Sequence, residues 1–225
     1  LDAVECQNPY MHTIDEWKQT FDECKSKRET LPKWVLINSI PAFDVFKSIP
    51  SIDEFKEKVL KKTLDYAIAL NVSKVHLMLQ DVNNENEVAK NYELLQFASR
   101  FMAPHNITCV IEPLSTRPKY YLRSYHQSKD IVNTLNEPNL KVMLDSFHMQ
   151  KLHGNFTENV MALKDVIGHV QISQTPKRDS PMNPGEVDHS YILQLISEVY
   201  KDFVGLEYSC QTGDDLNWIN NFTHL

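Results

Sequence analysis

The sequence predicts an α/β fold of the TIM (β/α)8 barrel type, and three observations carry that reading. Short apolar or β-branched runs alternate with longer amphipathic, charged stretches along all 225 residues. Only 5 glycines occur, and no GxGxxG loop follows an early strand as it would in an open doubly wound sheet. The last four apolar runs each end on, or enclose, a polar side chain suited to a shared site.

Taken in order, Ala3 to Cys6 reads as the first strand. A helix runs from Ile14 to about Lys27, with Thr13 or Asp15 as its cap. The strand Trp34 to Asn38 follows, then a loop holding Pro41 and Pro50. Ser51 or Asp53 caps a helix reaching about Leu70, whose apolar face is Phe55, Val59, Leu60, Leu64, Ala67 and Ile68. Lys74 to Leu79 is a strand and Glu87 to about Phe101 a helix. Ile107 to Glu112 and Leu140 to Asp145 are strands, with a helix from Ser128 to about Leu135 between them. Thr157 to about Asp165 is helical, His169 to Ile172 a strand, and Ser190 to about Tyr200 helical. Phe203 to Tyr208 is the last strand, and Asp214 to Asn221 a closing helix.

Such alternation implies parallel strands joined by right-handed crossovers. An eight-unit barrel takes about 250 residues, and seven units of about 32 fit here, so the chain reads as one barrel domain lacking its first βα unit. The absent initiator Met points the same way. A barrel opened at one strand exposes two sheet edges, which predicts poor stability and lost activity for this stretch alone.

The formal net charge of −7 argues against a nucleic-acid surface, which is normally basic. No apolar run approaches the roughly 20 residues of a membrane span, and no signal peptide opens the chain. Cys6, Cys24, Cys109 and Cys210 are scattered, so reduced thiols and a cytoplasmic location are expected. Sequons at Asn71, Asn106, Asn155 and Asn221 carry little weight without a signal peptide.

The chemistry lies at the strand ends. Glu112, Asp145, Gln171 and Glu207 fall at the C-terminal ends of the last four strands, the face where barrel active sites assemble. Three converging carboxylates repel one another unless positive charge lies between them, and oxygen donors favour Mg²⁺ or Mn²⁺. His148 can reach the same mouth, and Arg178 suits an anionic substrate group. Glu186 and His189 have weaker claims. Bland alternatives remain for each: a lone acid at a strand end is usually a helix cap, Arg178 a solvated loop charge, His148 a core histidine. His76 reads as packing. Asn38 ends a strand and lines the pocket or merely turns the chain. Tyr120, Tyr121 and Tyr125 form a lid or an ordinary loop contact.

Ile111-Glu112-Pro113, Leu144-Asp145-Ser146-Phe147-His148-Met149-Gln150, Gly168-His169-Val170-Gln171-Ile172, Pro184-Gly185-Glu186-Val187 and Gly205-Leu206-Glu207-Tyr208 together resemble the hydroxypyruvate isomerases. These are xylose isomerase-like barrels, a group that includes tagatose and psicose epimerases. The resemblance covers nearly the whole chain, with Val4-Glu5 in the place of the family's second strand. It implies Glu112 and Glu207 as acid–base residues, completed by Asp145 and Gln171 as a metal site, with His148, Arg178 and Asn38 binding substrate. Related epimerases carry histidine in the place of Gln171, a stronger ligand than the amide. The implied reaction interconverts hydroxypyruvate and 2-hydroxy-3-oxopropanoate through an ene-diolate, with a divalent cation and no organic cofactor. The implied partner is thus a small hydroxy-oxo acid, with no nucleic acid or membrane; homo-oligomers are left open. The rivals are a keto-sugar or sugar-acid isomerase or epimerase, a barrel nuclease, and a non-catalytic binding barrel. A nuclease needs metal-binding histidines and a basic face, and loss of either glutamate would mark a binding barrel; this chain keeps both.

Overall fold

The computed structural model describes residues 2–27, 30–209 and 216–222, the last two residues of that stretch as backbone only. Cys210 and the expected helix start at Asp214 lie outside the described residues, as does the Asn221 side chain. The chain divides into two compact units, Leu1–Ile111 with Lys119–Tyr121 and Ile131–Lys141, and Glu112–Pro118 with Leu122–Asp130 and Val142–Leu225.

In the first unit, β1 (Ala3–Cys6), β2 (Lys33–Asn38), β3 (Lys74–His76) and β4 (Thr108–Ile111) pair in succession, all parallel. Between β1 and β2 runs α1 (Ile14–Lys25), started by a capping box: Thr13 accepts the Glu16 N–H while the Glu16 carboxylate accepts from Thr13. Thr13 is therefore the cap, not Asp15. A short α2 (Ala42–Val45), not anticipated, fills the loop after β2. The long helix expected from Ser51 is α3 (Ile52–Phe55), a π turn (Lys56–Leu60) and α4 (Lys61–Ala69), capped by Ser51 and Glu54 in the same reciprocal way. The wider turn lets Phe55, Val59 and Leu60 all be fully buried. Ile68, expected on that apolar face, is instead 55% exposed. After β3 comes α5 (Glu85–Met102), whose Leu94, Leu95, Ala98 and Met102 pack inward.

The helix α6 (Tyr125–Leu135) and the strand β5 (Leu140–Asp145) are divided between the units. In the second unit follow α7 (Ser146–Leu152), α8 (Phe156–Leu163), β6 (Ile167–Ile172), α9 (His189–Val199) and β7 (Val204–Leu206), then a 3-10 turn, Asn217–Phe222. Here β5 pairs with β6, and β6 with β7, again parallel. Among the described residues no helix is long and apolar enough to cross a membrane.

In a chain with 5 glycines, three helical segments run out into asparagine. Asn71 after α4, Asn106 after the 3-10 turn Ala103–His105 and Asn136 after α6 all take left-handed backbone, φ 54°, 57° and 49°. Asparagine tolerates that conformation better than other side-chain-bearing residues. Three of the four sequons thus mark turns, since Asn155 is also left-handed, φ 41°.

Candidate functional site

The second unit builds the site from its strand register. Asp145 on β5 pairs with Gln171 on β6, and Gln171 with Gly205 on β7. Register partners on parallel strands project to the same face, and Glu207 stands two residues past Gly205. The Glu207 N–H still bonds the Ile172 carbonyl at 3.3 Å, so the ladder carries that parity to it. Glu112 follows directly on β4 and is buried, as are Asp145 and Gln171. Glu207 keeps 20% of its side chain exposed.

Asp145 answers two expectations at once. It is the N-cap of α7: its Oδ1 accepts from the N–H groups of Phe147 (2.6 Å) and His148 (3.4 Å). Its Oδ2 accepts from Arg178 Nη2 at 3.0 Å. A helix starting on the strand's last residue leaves no loop, so the carboxylate is aimed by main chain on both sides. Tyr125, fully buried, completes the brace: its hydroxyl accepts the Asp145 N–H (3.0 Å) and donates to the Asp145 carbonyl (3.1 Å). Burial pushes the Asp145 carboxyl above its usual range, although Arg178 and the two amides pull it down.

Positive charge does lie between the carboxylates, and it is Arg178. The same Nη2 reaches Glu207 Oε1 at 2.7 Å, and the guanidinium lies over the Phe147 ring, 5.1 Å from its centre. Burial alone would lower the Arg178 pKa, but Asp145, Glu207 and Glu112 raise it above its ordinary value. Arg178 is thus paired with two carboxylates and is not a solvated loop charge.

Its loop is held by Gln174, a residue the sequence reading passed over. The Gln174 Oε1 accepts from the N–H groups of Thr175 (2.9 Å) and Val187 (3.0 Å), and Nε2 donates to the carbonyls of Asn183 and Val187, both at 3.0 Å. Gly185 lies so close that a Cβ there would come within 2.3 Å of Gln174 Cδ. Arg178 itself takes a left-handed φ of 56°.

His148 is buried, and its Nδ1 faces Ser115, whose N–H donates at 3.0 Å and whose Oγ lies at 2.7 Å. Among the described residues, Glu112, Asp145 and His148 form a cluster whose ligand atoms all lie within 4.8 Å of one another. Asn38 belongs to the first unit, its Oδ1 3.2 Å from His76 Nδ1. Tyr120 and Tyr121 form a buried edge-on pair there, with rings 4.8 Å apart. Glu186 is exposed and accepts from Gln150 at 3.4 Å. His189 is buried against Ser146 Oγ, 3.3 Å away. Phe147, Ser115 and Gln174 had no role of their own in the sequence, and Tyr125, expected as part of a lid or a loop contact, braces the Asp145 main chain.

Residues 2–222 match a family model described as xylose isomerase-like TIM barrel. A human protein named "Putative hydroxypyruvate isomerase" is 31% identical over 241 residues, covering 99% of this chain and 85% of that protein. The 2-oxo-tetronate isomerase of Pectobacterium atrosepticum is 33% identical over 169 residues, covering 71% of this chain and 64% of that one. A crystal structure titled AP endonuclease, family 2, from Brucella melitensis superposes with a TM-score of 0.87 at 27% identity, covering 99% and 88%.

Proposed function

The chain belongs to the xylose isomerase-like TIM barrel family, and we propose that it is an isomerase of a small hydroxy-oxo acid, interconverting hydroxypyruvate and 2-hydroxy-3-oxopropanoate. The observation that carries the reading is the charge arrangement in the second unit: one guanidinium shared by Asp145 and Glu207, in a site that also raises its pKa through Glu112.

Arg178 is the anion-binding group. A substrate carboxylate taking its fork draws the guanidinium from Glu207, and Glu207 is then free to handle a proton. One glutamate of the Glu112–Glu207 pair removes a proton from the hydroxymethyl carbon beside the carbonyl. The hydroxyl proton passes to the neighbouring oxygen as the ene-diolate rearranges. The other glutamate, or the same one reoriented, returns a proton to the former carbonyl carbon, leaving an aldehyde and a new hydroxyl.

Glu112, Asp145, Gln171 and Glu207 offer oxygen donors, a set that fits Mg²⁺ or Mn²⁺. Bound among them, such an ion supplies positive charge against the oxyanion that develops on the substrate. Asp145 and Glu207 already hold Arg178, so the ion and the guanidinium compete for the same two carboxylates.

A second reading keeps the site and changes the substrate. The Pectobacterium relative's name, 2-oxo-tetronate isomerase, favours a longer oxo acid, and a keto-sugar would follow the same proton chemistry. The nuclease title of the Brucella structure is not carried over, because a net charge of −7 and an amide at Gln171 suit phosphodiester chemistry poorly.

The test is an NMR assay with hydroxypyruvate in D₂O, with and without Mg²⁺ or Mn²⁺, beside Glu207→Gln. Deuterium incorporation with aldehyde formation, lost in the variant, is the expected result. Turnover of 2-oxo-tetronate but not hydroxypyruvate selects the second reading; inertness toward both sinks the isomerase.

A further inference from the structure

His148 stands three residues after Asp145, and Ser115 three after Glu112, so each half of their contact is carried on the segment of a site carboxylate. A backbone N–H can only donate. With the Ser115 N–H at 3.0 Å, His148 Nδ1 must present its lone pair, and the Ser115 hydroxyl at 2.7 Å from the same nitrogen must donate as well. A neutral imidazole has one N–H, and it therefore sits on Nε2.

We propose that Ser115 is a positioning residue that fixes His148 in the Nε2–H form, making the ring a hydrogen-bond donor in the site and not a metal ligand. A cation needs an unprotonated ring nitrogen. The Nδ1 lone pair is already engaged by two donors from Ser115, and Nε2 carries the proton. Of the cluster Glu112, Asp145 and His148, only the carboxylates are then left to hold an ion. Phe147 keeps the ring in place from the side, its centre 5.3 Å from that of His148 at an interplanar angle of 77°. The inference rests on the proposed function only in naming what the donor meets, an oxygen of a hydroxy-oxo acid.

The experiment needs no turnover, so it stands or falls apart from the isomerase reading. Protein labelled with ¹⁵N-histidine is studied by long-range ¹H–¹⁵N correlation, with the His148 signals assigned by their loss in His148→Gln. The expected pattern is a proton on Nε2. Ser115→Ala shifts the Nδ1 resonance toward that of a nitrogen with fewer donors, and Ser115→Thr restores it. Saturating Zn²⁺, the ion readiest to take an imidazole, leaves the Nε2 proton in place. A proton on Nδ1 in the unmodified protein overturns the proposal, as does an Nδ1 signal indifferent to Ser115→Ala. Loss of the Nε2 proton on adding Zn²⁺ makes His148 a ligand and overturns it equally.

Discussion

At the end of β2, in the first unit, Asn38 turns its side-chain oxygen to His76, its register partner on β3, and Tyr10 donates to its carbonyl at 2.7 Å. At the end of β5, in the second unit, Asp145 faces its register partner Gln171, and Tyr125 braces its main chain. Both ends use a tyrosine hydroxyl as a clasp. They differ in kind: the first pair meets through an amide oxygen and an imidazole nitrogen, whereas Asp145 and Glu207 share one guanidinium. A shared ion pair can be re-partnered by any anion or cation that enters. This contrast is what favours the second unit as the place of the proposed chemistry.

The largest effect expected is on turnover. Glu112→Gln keeps size and loses the proton-transfer group, so kcat falls by about 10²–10⁴-fold. Asn38→Ala removes one hydrogen bond and lowers kcat by no more than about tenfold. Steady-state kinetics of the two variants decides the matter, and equal losses would erase the contrast between the units.

Next in size is Arg178→Met. It strands Asp145, fully buried, without its counter-charge, and breaking one side of a buried pair costs about 3–5 kcal/mol. Adding Asp145→Asn to the same protein recovers most of the loss. Urea titrations read both, and an Arg178→Met variant as stable as the parent would show that Arg178 is not the carboxylates' partner in solution.

How much of this could be read beforehand follows from where each signal resides. Period and capping are local, so the strand Leu140–Asp145 stands where the sequence puts it, and the cap of α1 is Thr13, one of the two residues offered. The acids at Glu112, Asp145 and Glu207 and the amide at Gln171 were legible because strand ends in a parallel fold converge. Arg178 was legible as a cation but not as the partner of Asp145 and Glu207. That pairing depends on a left-handed loop held by Gln174, whose bonds all run to main-chain atoms and leave no pattern in side-chain types. Helix α7 carries a weak signal because its cap is Asp145 itself, and an acid at a strand end suits chemistry and capping alike. Ser115 carries no signal alone, since its N–H and hydroxyl meet His148 only through the fold, 33 residues away along the chain.

The tyrosine clasps give a smaller and sharper test. Tyr125→Phe leaves the buried Asp145 N–H and carbonyl without their shared partner, costing about 1–3 kcal/mol. Tyr10→Phe frees the carbonyl of Asn38, which is only half-buried and can turn to water, costing about 1 kcal/mol or less. Chemical denaturation of the two variants should rank them in that order, and the reverse order would mean that the second strand end is the less tightly built.

The smallest effect is a slope. His189 is buried beneath the second unit's strand ends, where Ser146 Oγ bonds both the carbonyl and the N–H of Ser173 and meets His189 Nε2. Burial lowers its pKa below the ordinary 6.5, against smaller opposing contributions from nearby backbone groups and Asp188. The unfolded chain therefore takes up a proton below pH 6.5 that the folded chain refuses. Stability present above 6.5 is lost as pH falls from there toward the folded pKa, at no more than about 1.4 kcal/mol per pH unit for one proton. His189→Gln keeps a donor for Ser146 and cannot titrate, so its stability between pH 7 and 5 should fall less steeply than the parent's. Parallel slopes would show that His189 takes up its proton without unfolding, and that the ground under β5 and β6 is wetter than the burial of His189, Ser146 and Ser173 implies.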